Sequence, residues 1–248
     1  MEQTSKLNFP TEVVELPSRG LIYPVDSPLS SGQVEIKYMT AKEEDILTNQ
    51  NYIQKGIVIE KLLKSLIVTP FEYNELLAGD KNAIFIAARI LGYGKDYTFN
   101  YLGNEYTVDL TTLKNRPIDE SVFTRGRNEF EFTLPATDIP VTFKLLTHAD
   151  EQAIEAEIEG LKKINKDNIT EATTRMKYTL TSVNGDRNSK TIRNFVDTAL
   201  LARDARALRE YIRSIQPNVD TTVYPEGGPD GGIELPFGIT FLWPDARV

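Results

Sequence analysis

Two kinds of hydrophobic pattern alternate along this chain, and the alternation itself recurs. Val34, Ile36 and Tyr38 share one face of a period-two run that leads directly into Thr40-Ala41-Lys42-Glu43-Glu44-Asp45-Ile46-Leu47. Val141, Phe143 and Leu145 do the same ahead of Thr147-His148-Ala149-Asp150-Glu151-Gln152-Ala153-Ile154. In both places a Thr is followed three residues later by an acid, Glu43 or Asp150. That is the spacing of a capping box, although Asp is shorter than the usual Glu or Gln. Each run predicts a strand that turns at once into a capped helix.

A second pair of segments matches in the same order. Leu76-Leu77-Ala78-Gly79-Asp80-Lys81-Asn82-Ala83-Ile84 aligns with Leu200-Leu201-Ala202-Arg203-Asp204-Ala205-Arg206-Ala207-Leu208. Asp80 and Asp204 both suit an N-cap. Ile84, Ala87, Ala88 and Leu91 then form one apolar helix side, as do Leu208, Tyr211, Ile212 and Ile215, and Arg89 matches Arg213. Further upstream, Val13-Val14-Glu15-Leu16-Pro17 has its counterpart in Phe130-Glu131-Phe132-Thr133-Leu134-Pro135, where Pro confines the segment to a strand end or sheet edge. Ordered matches of this kind predict an internal duplication. The fold class expected is α+β, with two tandem pseudo-repeat lobes at 1–118 and 128–248. The stretch 115–128, with Pro117 and Gly126, reads as the linker.

Between these anchors the pattern is less regular. Residues 2–10 read as a polar arm. Ile59, Leu62, Leu63, Leu66 and Ile67 predict an amphipathic helix. The helix near Asp80 is apolar over much of its circumference, which makes it the central helix of the first half, and Gly92-Tyr93-Gly94 ends it. Residues 97–110 predict a β-hairpin with a short Gly-containing turn. In the second half, 170–183 reads as a polar helix-rich region broken at Asn184-Gly185-Asp186. A terminal hairpin follows, joined by the flexible Gly- and Pro-rich loop 225–232. The tail Phe237-Gly238-Ile239-Thr240-Phe241-Leu242-Trp243-Pro244 is apolar enough to pack back on a core, with a partner surface as the lesser alternative.

Composition removes several function classes. With no cysteine among 248 residues, disulfides and thiolate-ligated zinc or iron–sulfur sites are excluded. No apolar run approaches the ~20 residues of a membrane span. Residues 1–9 lack the apolar core of a secretory signal. The net charge of -8 is spread evenly between the halves and leaves no basic footprint for nucleic acid.

Candidate chemistry is sparse. The single His, His148, sits beside a predicted helix cap, where a solvated role is expected over a catalytic one. Gly92-Tyr93-Gly94-Lys95 follows a helix, whereas a phosphate loop precedes one, and it lacks the GxxxxGK[ST] spacing. Glu155, Glu157 and Glu159 spread around a helix instead of converging. Carboxylates could still meet in the fold, as in glycosidases or magnesium sites. No catalytic residue, cofactor or metal ligand is assigned.

These same residues resemble a family of baseplate proteins from contractile-tailed phages of the T-even type. The resemblance is carried by Leu16-Pro17-Ser18-Arg19-Gly20, then Thr40-Ala41-Lys42-Glu43-Glu44-Asp45-Ile46-Leu47. It continues through Gly79-Asp80-Lys81-Asn82, then Arg89-Ile90-Leu91-Gly92-Tyr93-Gly94, and ends at Phe241-Leu242-Trp243-Pro244. It is a pattern of small motifs scattered over most of the chain. Relatives in that family resemble a metal knuckle in their hairpins, which carry cysteine pairs. Here 97–110 and 220–235 have none, a departure from the family pattern under which any metal-binding role is lost and the hairpins must be held by packing.

What the resemblance implies is a non-enzymatic baseplate hub subunit or hub-assembly factor, assembled in the host cytoplasm and placed in the virion tail. Its partners would be other baseplate, hub or tail proteins, and an oligomer is compatible with it. Two alternatives stay open: a transient assembly chaperone absent from the virion, and an enzyme whose carboxylates converge only in the fold. The candidate partner-binding residues are Phe237, Phe241, Trp243, Pro225 and Pro229, on a hairpin loop and tail of the kind that interfaces use.

Overall fold

The structure is a computed structural model, and it describes residues 10–164 and 170–242. The chain is α+β, with small antiparallel sheets packed on helices. The first half opens with β1 (Thr11–Glu15) paired to β2 (Gln33–Lys37), in register at Val14↔Val34. Three helices follow: α1 (Ala41–Leu47), α2 (Gln50–Gln54) and α3 (Val58–Leu66). The α3 face made by Val58, Leu62, Leu63 and Leu66 is buried, as its period requires.

The next helix, α4 (Ala78–Tyr93), buries Ala83, Ile84, Phe85, Ile86 and Ala88, which lie around most of its circumference. A helix apolar on all sides belongs inside. The hairpin β3 (Asp96–Tyr101) and β4 (Asn104–Asp109) closes the first half. Its two-residue turn, Leu102-Gly103, has positive φ at both positions (50° and 84°), the I′ geometry that matches strand twist.

The second half runs β5 (Phe130–Thr133), β6 (Pro140–Phe143), α5 (His148–Ile164), α6 (Glu171–Thr179) and β7 (Leu180–Val183). It continues with α7 (Ser189–Thr198), α8 (Ala202–Ile215), β8 (Thr222–Val223), β9 (Ile233–Glu234) and α9 (Ile239–Leu242). The expectation of a helix-rich stretch through Val183 is corrected here. The helix stops at Thr179, and β7 pairs with β6 to make a three-stranded sheet. The reason is burial: Leu180, Ser182 and Val183 are all enclosed, which a polar surface helix would not allow. The first half has a shorter version of the same third strand, an Ile36↔Ile67 bridge with the Val68 N–H donating to the Glu35 oxygen at 2.8 Å.

The two strand-to-helix corners have matching local settings. At the first, Glu43 accepts from the Thr40 N–H (3.0 Å) and Thr40 Oγ1 (2.6 Å) on one oxygen and meets Lys37 Nζ at 2.9 Å on the other. At the second, Asp150 accepts from the Thr147 N–H and Oγ1, both at 3.0 Å, and meets Lys144 Nζ at 2.7 Å. Burial pushes the enclosed Glu43 carboxyl up, but the Thr40 and Lys37 hydrogen bonds more than offset this and leave it below the ordinary range.

The two buried aspartates correspond as well, although not as N-caps. The caps are Leu77 and Leu201, which puts Asp80 and Asp204 in the third helical position. Each carboxylate reaches across to the turn that follows a Leu-Pro pair. Asp80 accepts from the Ser18 N–H at 2.9 Å and the Tyr23 hydroxyl at 2.6 Å. Asp204 accepts from the Ala136 N–H at 2.7 Å and Thr137 Oγ1 at 2.9 Å. An acid there suits the helix dipole and satisfies turn donors that are removed from water.

Other features differ between the halves. Arg89 is buried and donates to the carbonyls of Gly94 (2.8 Å) and Asp96 (3.2 Å), whereas Arg213 is exposed. The terminal hairpin has only two-residue strands, and its 225–232 loop is folded into two successive turns, Gly228 N–H to Pro225 and Gly232 N–H to Pro229.

The linker is tied down. Arg116 N–H donates to Asn218 at 2.8 Å and Gly126 N–H to Leu21 at 2.7 Å. Glu129 is held by both guanidinium nitrogens of Arg187 (2.7 and 3.0 Å), by Arg127 and by Thr181. The Arg187 hydrogen bonds, helped by Arg127 and Thr181 and opposed by burial, bring its carboxyl down to about 2. A carboxyl depressed on folding contributes stability above its unfolded pKa and loses it as pH falls through the folded value. Glu129→Gln should therefore cost about 1–3 kcal/mol at neutral pH, discounted because both arginines face solvent. Urea titrations from pH 7 downward should show the difference shrinking between ~4.3 and the folded value of about 2.

Candidate functional site

Buried side chains of both halves form one contiguous core. The contact between the halves is built where α4 begins. Leu77 bridges Thr147, and the His148 N–H donates to the Leu76 oxygen at 2.9 Å. The second-half corner thus seats directly on the residues ahead of α4. Beside it, the Asn82 amide donates to Asn218 Oδ1 at 3.1 Å, and Asn115 bridges Val219.

Gly79 is what lets these backbones meet. A Cβ at that position would overlap the carbonyl oxygen of Pro217 and crowd Asn218. The helical backbone at Gly79 would accept Ala, so the requirement is one of space. Gly79→Ala should force Pro217 and Asn218 away and cost at least the ~1–3 kcal/mol typical of overpacking, measurable by thermal or urea unfolding.

Next to this seam lies an open cleft of ≈ 560 Å³, lined from the first half by Glu60, Tyr73, Lys81 and Phe85 and from the second by His148, Gln152, Glu155, Glu159 and Phe237. Glu60 is engaged: Lys64 Nζ at 2.6 Å, Gln152 Nε2 at 3.0 Å and His148 Nε2 at 3.3 Å all converge on it. Burial pushes its carboxyl up, but Lys64 and His148 bring it below the ordinary range, which suits an anchor more than a proton donor.

His148 is not the solvated cap residue expected from the sequence. It is largely enclosed, edge-on to the Tyr73 ring at 4.8 Å between centroids. Burial, with Lys81 and Lys64 nearby, holds its pKa below the usual ~6.5 against the opposing pull of Glu60. Its Nδ1 and the Tyr73 hydroxyl have no hydrogen-bond partner among the described residues. His148 therefore works as a wedge between the halves. Asp80, one of three fully buried carboxyls among the described residues, does not line this cleft; it sits against Tyr23 and is raised by burial.

The structure separates the five candidate partner-binding residues. Phe241 is 0% exposed, stacked on Phe85 at 5.1 Å and edge-on to Tyr97 at 4.8 Å. Phe237 is half-buried, edge-on to both Phe85 and Phe241. The tail thus crosses back to pack on α4 and β3 of the first half. Pro225 is half-buried and Pro229 is exposed. Trp243 lies outside the described residues, as does Pro244.

Sequence reasoning missed the Tyr23–Asp80–Ser18 cluster and the placing of Glu60 against His148. The only available signal for the first was the recurrence of Leu-Pro upstream of both aspartates. Among the described residues, no group of three or more His, Asp and Glu side chains is arranged to hold a metal ion, and no helix is long and apolar enough to cross a membrane. Compared with known proteins, the chain matches no family model, no curated protein and no solved structure at a significant level.

Proposed function

We propose that this chain is a non-enzymatic component of a contractile-tail phage baseplate, a hub subunit built from two related copies of one α+β unit and working through protein–protein contacts. One observation carries the reading. The short motifs that resemble the baseplate family, although scattered in sequence, meet around one helix. Ser18 of Leu16-Pro17-Ser18-Arg19-Gly20 donates to Asp80 of Gly79-Asp80-Lys81-Asn82. Arg89 of the same helix binds Gly94 of the motif's end, and Phe241 of the tail motif stacks on Phe85. Motifs that fold into a single structural unit support a resemblance better than isolated matches do.

The surface adds support. The β3–β4 hairpin tip presents Tyr101 and Leu102, the latter 84% exposed, and the terminal hairpin presents Tyr224. Loops and hairpin tips carry binding more often than the elements that hold them. The test is loss of the gene during infection. Tails that fail to mature, with baseplate intermediates visible by electron microscopy, are the expected result. Normal tails in normal yield would overturn the reading.

The cleft between the halves favours a second reading, an enzyme using Glu155 and Glu159, which line it together with Lys81. It predicts that Glu155→Gln with Glu159→Gln abolishes function in infection. Full function of that double variant would remove it.

A further inference from the structure

The contact between the halves is one-sided, and it leaves the same two surfaces over at its ends. Leu76 and Leu77, ahead of α4, are at most 2% exposed, with Thr147 and His148 seated on them. The matching residues ahead of α8 are Leu200 and Leu201. Leu200 is half-buried, and Leu201 is 49% exposed. The corner that matches Thr147-His148 is Thr40-Ala41, and Ala41 is exposed. Across the halves, the His148 N–H bonds the Leu76 oxygen. Neither the Ala41 N–H nor the Leu200 oxygen makes the corresponding backbone bond among the described residues.

We propose that a second copy of this chain completes the pattern, its Thr40-Ala41 corner seating over Leu200-Leu201 as Thr147-His148 seats over Leu76-Leu77. The two corners are one construction, with Glu43 and Asp150 closing back on the preceding Thr and pairing with Lys37 and Lys144. The two seats are also one construction, each held by an aspartate that grips a Leu-Pro turn. The local shapes that already fit inside the chain are therefore both present, unused, on its outside.

Charge favours the match. The exposed side of α8 carries Arg203, Arg206 and Arg209, and α1 presents Glu44 and Asp45 beside a single Lys42, a net acidic face. Arg206 already pairs with Glu210, which leaves the patch net basic. Two elements cannot be copied. Ala41 stands where His148 packs on Tyr73 and Glu60 in the internal contact. Arg203 stands where Gly79 stands in the first half, so the close backbone approach of Pro217 has no intermolecular equivalent. The contact between copies is thus smaller than the internal one, and its assembly depends on concentration. Because the two surfaces differ, it is heterologous and builds a ring or an open chain of subunits instead of a closed two-fold pair. This holds whether or not the chain belongs to a baseplate.

The test uses the full chain in sedimentation velocity. Wild type should move from monomer to larger species as concentration rises. Leu201→Asp and Ala41→Arg each change an exposed residue, and each should keep the chain monomeric with its melting temperature unchanged. Leu201→Ser serves if the Asp variant melts early. An equimolar mixture decides the geometry. The Leu201→Asp chain keeps a working corner and the Ala41→Arg chain a working seat, so the mixture should form a one-to-one dimer and nothing larger. A wild type that stays monomeric to its solubility limit, oligomers that survive both substitutions, or a mixture that fails to dimerise would each overturn the proposal.

Discussion

Asp80→Ala is expected to lower stability by about 2–5 kcal/mol. Two donors in a dry site, the Ser18 N–H and the Tyr23 hydroxyl, lose their acceptor at once, and each buried unsatisfied group costs about 1–3 kcal/mol. The Tyr23 hydroxyl itself accepts from the Leu77 N–H at 3.0 Å, so the loss spreads to the residues on which the second half sits. Urea unfolding at neutral pH measures the effect. Asp80→Asn keeps one acceptor oxygen and should cost less. Burial, against hydrogen bonds from Tyr23 and Ser18, raises the Asp80 carboxyl, so the folded chain holds that proton more tightly than the unfolded one. Its contribution should weaken as pH climbs from the ordinary carboxylate range through the raised folded value, then stay level. Asp80→Asn should flatten that part of the profile. An Asp80→Ala chain as stable as wild type would mean the Leu-Pro turn is held by something else.

Phe241→Ala should cost a further-reaching ~3–5 kcal/mol, the range for emptying a buried aromatic site. Phe241 fills the space between Phe85 of α4, Tyr97 of β3 and Phe237. The loss should therefore be felt in the first half, although the residue belongs to the C-terminal tail. Amide exchange of the β3–β4 hairpin should accelerate well beyond that of β5 and β6. Equal acceleration in both sheets would place the tail's support elsewhere.

What the sequence disclosed follows from distance along the chain. The corners at Thr40 and Thr147 were legible because strand period, Thr and acid all lie within about one turn of each other. The α4 helix was legible from its unbroken apolar content, and the β3–β4 hairpin from its alternation and Gly103. Asp80 was misread as an N-cap because its real partners lie 57 and 62 residues upstream. β7 was hidden because Leu180-Thr181-Ser182-Val183 is short and follows a helix without a Gly or Pro boundary. His148 looked like a surface cap because nothing local places Tyr73 and Glu60 against it. The docking of Phe241 on Phe85 likewise joins residues from the two halves of the chain, far apart in sequence. For the cleft, the lining residues were visible individually, but their convergence depends on how the halves meet.

The central claim, a hub subunit that stays in the particle, is tested most directly by quantitative mass spectrometry of purified baseplates. This chain should be present in a fixed whole-number ratio to the other baseplate proteins, retained through high-salt washing. Its absence from baseplates that are otherwise complete would contradict that claim.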